Sequence, residues 1–252
     1  MKKLHIEKSY WQQDIQKKEY IRAILQGLIL QGCIAYLFYQ SYLMLLLLTP
    51  LQIAYLRSWN QACIRQKKEE FQLQFKESMQ ALSAALNVGY SMENALKETL
   101  KDLRLMYDSE KRIIQEFVYM IRQLNMNLTV EQVLQEFSIR VEQEDVQNFV
   151  TVFVMAKRSG GDMIGILRNA IRQICDKVEA KREIQTMMTA KKLEFRVMSM
   201  IPFGIIFYMQ LSFPEFMEVL YGNTVGMIIM TGCLMLYLVA YWLGKRIIEI
   251  EV

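Results

Sequence analysis

The residue types that most often carry out catalysis are few and scattered in this chain. Its single histidine is His5, and its four cysteines are Cys33, Cys63, Cys175 and Cys233, with no C-x-x-C spacing. A zinc site needs several such ligands close together, and a histidine-activated nucleophile needs a histidine within the folded part. The sequence therefore predicts isolated reduced thiols, no metal site, no cofactor and no catalytic residues.

A glycine pair and a group of carboxylates could in principle form a phosphate-binding loop and a general acid–base pair. The pair Gly160-Gly161 lacks the lysine and the preceding strand that a phosphate-binding loop needs. We expect these glycines to end one helix and Asp162 to cap the next. The carboxylates in Glu142-Gln143-Glu144-Asp145 fall in a charged turn, and we expect a solvated surface there rather than a general acid–base pair.

The elements that carry these residues are predicted to be helices. Residues 57–196 contain no proline, and their apolar residues recur at helical spacing in six stripes. The first stripe contains Phe71, Phe75, Met79, Leu82 and Leu86. No run alternates with period two for long enough to predict a strand. The pattern indicates about six antiparallel helices joined by short turns.

Capping signals separate the stripes, and two of them are similar. Gly89 is followed by Ser91 as a predicted N-cap, and Thr129 with Gln132 forms a predicted capping box. The segment 86–96 aligns without gaps with 124–134, 38 residues further on. Either stacked helix pairs repeat here, or two helix starts obey the same capping rules.

Charge is excluded from two blocks of the chain. Residues 23–56 contain no Asp, Glu, Lys or Arg, and residues 197–244 contain only Glu215 and Glu218. As one helix, the first block would be about 51 Å long, against a hydrocarbon core of about 30 Å. We therefore predict two hairpins and four transmembrane helices, at 20–38, 42–57, 197–213 and 225–243. Pro50 and Pro202 lie inside predicted spans and are expected to kink them.

Basic residues set the predicted orientation. They are dense before residue 23, through 57–196 and from Lys245, whereas neither outer connection, 39–41 or 214–224, contains any Lys or Arg. The positive-inside rule then places both termini and the central block in the cytoplasm. The predicted organisation is an amphipathic N-terminal segment at 1–19 with an interfacial stripe of Trp11, Ile15 and Tyr20, a transmembrane hairpin at 20–57, a cytoplasmic helical domain at 58–196, a second hairpin at 197–243 and a cytoplasmic tail at 244–252.

Charge also excludes some classes of function. The net charge of +4 suits an anionic inner leaflet but is too small and too mixed in sign to favour nucleic acid. The predicted spans contain no Lys, Arg, Asp or Glu facing a pathway, which disfavours a channel or a secondary transporter. Gly222-x-x-x-Gly226 at the fourth span is either a helix-packing notch or a chance match.

The order of these motifs resembles a known family. The resemblance covers about Phe71 to Arg246 and is to the platform proteins of Tad (type IVc, Flp) pili, of the TadB type or its sister TadC type, within the wider type II secretion F family. Its landmarks are the turn Asn87-Val88-Gly89-Tyr90-Ser91 before Ala95-Leu96, the turn Gly160-Gly161-Asp162 before Leu167, Ile201-Pro202, and Phe213-Pro214 with Tyr221-Gly222. Asn125-Met126-Asn127 stands where the family has glycine, and asparagine tolerates the left-handed conformation, so the turn is still expected.

The resemblance implies a non-enzymatic role in the inner membrane. Such platforms bind a hexameric secretion ATPase through the cytoplasmic domain, associate with themselves or with the sister platform protein, and couple ATPase motion to pilin insertion into a filament. We expect the stalk segments 57–76 and 176–196 to transmit that motion. The alternative is a membrane-anchored scaffold or signalling protein whose helical domain binds an unrelated soluble partner.

Overall fold

A computed structural model of the protein describes Trp11 and residues 17–39, 49–159, 162–221 and 223–248. These residues are helical almost throughout, and no strand occurs among them. The predicted all-α class is therefore confirmed. The helices are α1 Lys17–Tyr39, α2 Thr49–Asn87, α3 Met92–Met106, α4 Arg112–Asn125, α5 Val130–Val141, α6 Glu144–Ser159, α7 Met163–Ser212, α8 Pro214–Tyr221 and α9 Thr224–Ile248.

The chain divides into two compact units. One, here called the bundle, contains Ile64–Lys181 together with Trp11. The other, here called the span unit, takes Ile15–Cys63 and Arg182–Val252. Both divisions fall inside long helices, α2 and α7, so each of these helices contributes residues to both units.

The bundle is built from six helical segments. They are the part of α2 after residue 63, the whole of α3 to α6, and α7 as far as Lys181. Consecutive helices from α3 to α6 pack against one another, and the short turns between them make them antiparallel. The predicted stripes form its core: Phe71, Phe75, Met79, Leu82 and Leu86 are all buried.

Aromatic rings fill the centre of the bundle. Phe75 contacts Phe137 and Phe149, with ring centroids 6.3 and 6.4 Å away. Trp11 is 3% exposed and packs edge-to-face on Phe71 at 5.4 Å. The interfacial position predicted for Trp11 is therefore wrong, because burial against a core phenylalanine removes its whole ring from water. Tyr20 instead faces Trp59, and Ile15 lies outside the described residues.

Three helices in the described part of the chain are long and apolar enough to cross a membrane. They are Glu19–Tyr39, Met163–Ser212 and Val225–Ile248, and they contain the first, third and fourth predicted spans. The predicted span 42–57 is not among them, so three are found and not four. Residues 42–48 of that predicted span lie outside the described part, and its described remainder, 49–57, belongs to α2.

The prolines and the outer connection differ in part from expectation. Pro50 is the second residue of α2, where its missing N–H leaves no hydrogen bond unmade, so it does not interrupt a helix. Pro202 lies within α7, which continues to Ser212. Residues 214–224, predicted to be a connection, contain the helix α8, which begins at Pro214 and buries Met217.

Candidate functional site

Two turns of the bundle share one backbone pattern. Gly89 has φ +94° and Asn127, 38 residues later, has φ +64°. In the first turn Tyr90 N–H donates to the Ala85 carbonyl at 3.3 Å, and in the second Leu128 N–H donates to Gln123 at 3.2 Å. Both helices therefore end in a left-handed residue followed by the same six-residue hydrogen bond. Asparagine takes the glycine's place here, as expected.

The helix starts after these turns are capped in the same way. Ser91 Oγ accepts from the Asn94 N–H at 3.4 Å, and Thr129 Oγ1 accepts from the Gln132 N–H at 3.3 Å. The Gln132 side chain accepts in return from the Thr129 N–H, which completes a capping box. Asp162 likewise accepts from the Gly165 N–H at 2.9 Å. Gly160 and Gly161 lie outside the described residues.

Burial follows the same 38-residue interval. Buried residues recur at matching positions in the two hairpins, in the pairs Leu82 and Met120, Leu86 and Leu124, Ala95 and Val133, Leu96 and Leu134, and Leu103 and Val141. The end of α2 with α3, and α4 with α5, are thus two versions of one helical hairpin. Because the helices are antiparallel, both turns lie at the same end of the bundle, together with the start of α7.

A buried carboxylate joins three helices of the bundle. Asp145, in the first turn of α6, is 3% exposed. It accepts from the Lys177 ammonium of α7 at 2.9 Å and from the Gln72 amide of α2. Lys177 also reaches Glu144 at 3.2 Å. This set, here called the Asp145 cluster, ties together the two helices whose sequences run on into the span unit.

Asp145 is buried, so the prediction that it lies on a solvated surface is wrong. Glu144 is exposed and Glu142 is an exposed, left-handed helix end, as a charged turn suggests. Asp145, however, lies four residues before Phe149 and eight before Phe153, on the buried stripe of α6. The helical spacing of Asp145 from these phenylalanines is the feature of the sequence that indicates its burial. A buried carboxylate needs partners such as Lys177.

Other polar contacts reinforce the same region. Lys76 of α2, one turn after Gln72, pairs with Glu179 of α7, two residues after Lys177. Tyr107, just after α3, donates to Glu77 of α2. Burial and the neighbouring Glu77 carboxylate raise the pKa of Tyr107, so the phenol remains protonated and keeps this bond. The long helix α2 is therefore held to α3, α6 and α7 along several turns.

A second buried carboxylate links α4 and α5. Glu116 is 7% exposed and accepts from the Arg140 guanidinium at 2.9 Å. The same guanidinium lies 4.4 Å from the centre of the Tyr119 ring and 3.7 Å from Glu136. A charge buried in this way stabilises one particular pairing of the helices, because separating the pair would leave Glu116 desolvated and unpartnered.

A surface groove of about 270 Å³ lies between α3 and α4. Its lining includes Ile114, Val118 and Tyr119 along α4, with Ser109 from the preceding turn. Arg104 and Arg122 complete the wall, and no carboxylate contributes to it. The residues that line the groove thus include apolar and aromatic side chains and two arginines.

In the span unit, polar side chains join α1, α7, α8 and α9. The Leu37 carbonyl, in the last turn of α1, accepts from Tyr221 and from Gln210, the latter at 3.4 Å. Tyr39 bonds Thr231 at 3.0 Å, and Tyr237 donates to the Ser199 carbonyl at 2.9 Å. The Leu37 carbonyl belongs to the last turn of α1, where carbonyls have no partner within the helix, and these bonds supply one.

The polar contacts described above join helices within the bundle and within the span unit. The described residues contain no group of three or more His, Cys, Asp or Glu that could bind a metal ion. All four cysteines are free. The most distinctive local features are the Asp145 cluster, the repeated turns and the α3–α4 groove.

Comparison with known proteins identifies the family. The family model described as type II secretion system (T2SS), protein F matches residues 78–211, which is more than half of the chain. The match begins in α2, covers the remainder of the bundle and ends one residue before the end of α7. No significant similarity was found among curated proteins or among solved structures.

Proposed function

The chain belongs to the type II secretion system protein F family of membrane platform proteins, and on that premise we propose that it is the inner-membrane platform of a Tad (type IVc) pilus or a related type II secretion-like machine. In this role it couples a cytoplasmic secretion ATPase to the assembly of pilin. The bundle binds the ATPase, and the span unit acts on pilin within the bilayer. The order of turn motifs, with the proline of α7, supports the Tad assignment.

The observation that carries the proposal is the continuity of α7. This helix runs without interruption from Met163 to Ser212, so one rod contains core residues of the bundle and an apolar membrane segment. An α-helix rises about 1.5 Å per residue, and sharp bends occur mostly at proline, which in α7 is Pro202, inside the apolar segment. In the proposed mechanism, a displacement of the residues before Pro202 is carried along the helix to that segment. The match to the family model ends at residue 211, inside the apolar part of α7.

In this proposal, the bundle displaces α7 through the contacts of the Asp145 cluster. Asp145 of α6 accepts from Gln72 of α2 and from Lys177 of α7, and the Lys76–Glu179 pair adds a second contact between α2 and α7. A movement of α6 driven by a partner would therefore be passed to α2 and α7 together. The stalk segments 57–76 and 176–196 carry it onward.

The proposal also specifies on which side of the membrane the termini lie and which partners the chain binds. Basic residues flank the spans at Arg22, Arg57 and Lys245, which supports cytoplasmic termini and a cytoplasmic bundle. The proposed partners are a hexameric secretion ATPase, pilin, lipid, and a second platform subunit that is either another copy or the sister protein. No nucleic acid is involved.

Co-purification tests this function. The full chain, solubilised from its native membrane in mild detergent, is expected to retain the secretion ATPase and pilin of the same organism, identified by mass spectrometry. A membrane protein of similar size from the same preparation serves as the control. Recovery of neither ATPase nor pilin, with an unrelated soluble protein retained instead, would overturn the proposal and favour a membrane-anchored scaffold.

A further inference from the structure

Pro202 weakens α7 inside its apolar segment. A proline has no N–H, so the Met198 carbonyl one turn earlier loses its usual donor, and the proline ring crowds that carbonyl. Gly204, two residues later, is a poor helix former, and a Cβ there would meet nothing within 4 Å. The helix nevertheless continues to Ser212. In a membrane-spanning helix a proline is tolerated where neighbouring helices and side chains bond to the backbone around it.

The hydroxyl of Tyr237 in α9 forms such a bond. It donates to the Ser199 carbonyl at 2.9 Å. In a regular helix that carbonyl accepts from the Phe203 N–H, which belongs to the residue directly after Pro202. A carbonyl oxygen has two lone pairs, so it can accept from both donors. Tyr237 therefore bonds to α7 in the turn that the proline weakens.

The aromatic rings of α9 contact α7 on both sides of Pro202. The Tyr237 ring packs edge-to-face on Phe203, with centroids 5.2 Å apart. One turn later, Tyr241 stacks on Phe195 at 5.5 Å, and the two tyrosines stack on each other at 6.3 Å. Residues 195–203 span about 12 Å of α7 at about 1.5 Å per residue. Two tyrosines of one helix thus contact both of the segments that the proline separates.

Two further residues fit this arrangement. Gly244 of α9 allows a close approach to Phe195, because a Cβ there would lie 2.4 Å from an atom of that ring. Phe38 of α1 is buried and packs on Phe203 with centroids 6.1 Å apart. Edge-to-face aromatic pairs are favourable beyond the area they bury, so Phe203 is held by rings from two helices.

We propose that Pro202 is a hinge of α7 and that Tyr237 fixes its angle. While the Tyr237 hydroxyl is bonded to the Ser199 carbonyl, the two segments of α7 on either side of Pro202 keep one orientation. When that bond is lost, α7 bends at Pro202 over a range of angles. All of these contacts lie within the span unit, so the inference goes beyond the proposed function and depends on no partner.

Spin-label distances across the proline test the hinge in the full chain, purified and placed in nanodiscs. The labels are attached through Leu193→Cys and Leu211→Cys, at two exposed positions of α7, with the four native cysteines replaced by alanine. These positions lie about 27 Å apart along a straight helix at about 1.5 Å per residue. Double electron–electron resonance measures the distribution of that distance, and a hinge held at one angle gives a single narrow peak.

The substitution Tyr237→Phe removes the hydroxyl and keeps the ring. It is expected to widen the distance distribution by about twofold or more, because sharp bends of a helix occur at proline. The matched control is Tyr241→Phe on the same helix. Its hydroxyl makes no hydrogen bond among the described residues, and the ring that stacks on Phe195 is kept, so the width is expected to stay unchanged.

The substitution Pro202→Ala separates a hinge from a general packing role. Alanine restores the N–H and removes the crowding ring, so α7 is expected to hold one angle with or without the Tyr237 hydroxyl. The effect of Tyr237→Phe should therefore disappear in the Pro202→Ala background, and a double-mutant cycle measures this coupling. Equal widening in both backgrounds would show that Tyr237 supports the span unit in general, and would overturn the inference.

The other outcomes are equally decisive. An unchanged width in the single variant Tyr237→Phe would overturn the inference, since the proline would then hold one angle without the hydroxyl. Equal widening by Tyr237→Phe and Tyr241→Phe would also contradict it. The thermal midpoint of each variant is measured alongside and is expected to stay near that of the parent chain. Widening that occurs only together with a large fall in the midpoint would be due to unfolding, which also contradicts a hinge.

Discussion

At the scale of single residues, Asp145 has the clearest consequence for the bundle. Its carboxylate is 3% exposed and is shared between the Lys177 ammonium and the Gln72 amide. Removing the carboxylate leaves the Gln72 amide without its acceptor and leaves Lys177 with Glu144 as its partner. Lys177 is half exposed and can turn to water, so part of the loss is recovered.

The substitution Asp145→Ala is expected to destabilise the bundle by about 2 kcal/mol, since the bonds it removes are charge-assisted and buried. This corresponds to a fall of about 4–8 °C in the thermal midpoint for a chain of this size. Circular dichroism of the purified chain in detergent measures it. The control Glu144→Ala removes an exposed carboxylate and should change the midpoint little, so equal effects of the two variants would contradict the role given to Asp145.

Some residue roles could be read from the sequence and others could not. Ser91, Thr129 and Asp162 were identifiable as helix caps because capping depends on neighbours within three residues. Glu116 and Asp145 depend on partners 24 and 32 residues away, Arg140 and Lys177, which local patterns do not reveal. The 38-residue repeat could be found in the sequence because each copy of the hairpin depends on caps and apolar residues that lie close together in the chain.

At the scale of elements, the repeated turns specify where α2 and α4 stop. Gly89 and Asn127 both adopt the left-handed conformation, and both are followed by a capped helix. The side chain at this position is exposed in the second turn, so the backbone conformation alone determines what it tolerates. Glycine and asparagine enter this region readily, and β-branched residues do so at a cost.

We therefore expect Asn127→Gly to leave stability nearly unchanged and Asn127→Val to lower it by about 1–2 kcal/mol. The two variants change the same exposed position, so they differ mainly in backbone preference. Thermal unfolding of the purified chain compares them. A valine variant as stable as the glycine variant would show that the left-handed turn is not required.

Gly226 fixes the approach of α8 to α9 in the span unit. A Cβ there would lie 2.1 Å from the Leu220 carbonyl oxygen, so backbone atoms would have to move. This gives one member of the Gly222-x-x-x-Gly226 pattern a packing role in the outer connection. Gly222 itself lies outside the described residues.

The substitution Gly226→Ala is expected to cost about 1–3 kcal/mol, because the clash is with backbone rather than with a flexible side chain. Gly232→Ala on the same helix is the matched control, since a Cβ there meets nothing within 4 Å. The control should keep or raise the thermal midpoint, because alanine favours helix over glycine. Equal destabilisation by both variants would refute the packing role.

Element boundaries were predictable where charge and periodicity agree. The helices of the bundle follow the apolar stripes, and α1, α7 and α9 contain three of the four predicted spans. The helix α8 was missed because it is short and its polar residues resemble a connection. The second span was predicted from apolar composition alone, and the described part of α2 is charged from Arg57 onward.

At the scale of the whole molecule, the proposed function requires that force passes along α7. The helix joins core residues such as Leu167 and Ile171 to the apolar segment that begins near Val197. The exposed, charged residues between them, about 182–196, contribute little to either core. In the proposed mechanism, these residues keep α7 stiff between the two cores.

A seven-residue insertion after Lys181 measures that stiffness directly. One variant carries a flexible Gly-Ser segment, and its matched control carries a helix-forming Ala-rich segment of the same length, which is close to two turns at about 3.6 residues per turn. Both should insert into the membrane and bind the ATPase, because neither core is changed. The measurement is the number of assembled pili per cell. The account predicts that the flexible insertion abolishes pilus assembly while the helical insertion preserves most of it, and normal piliation with the flexible insertion would contradict it.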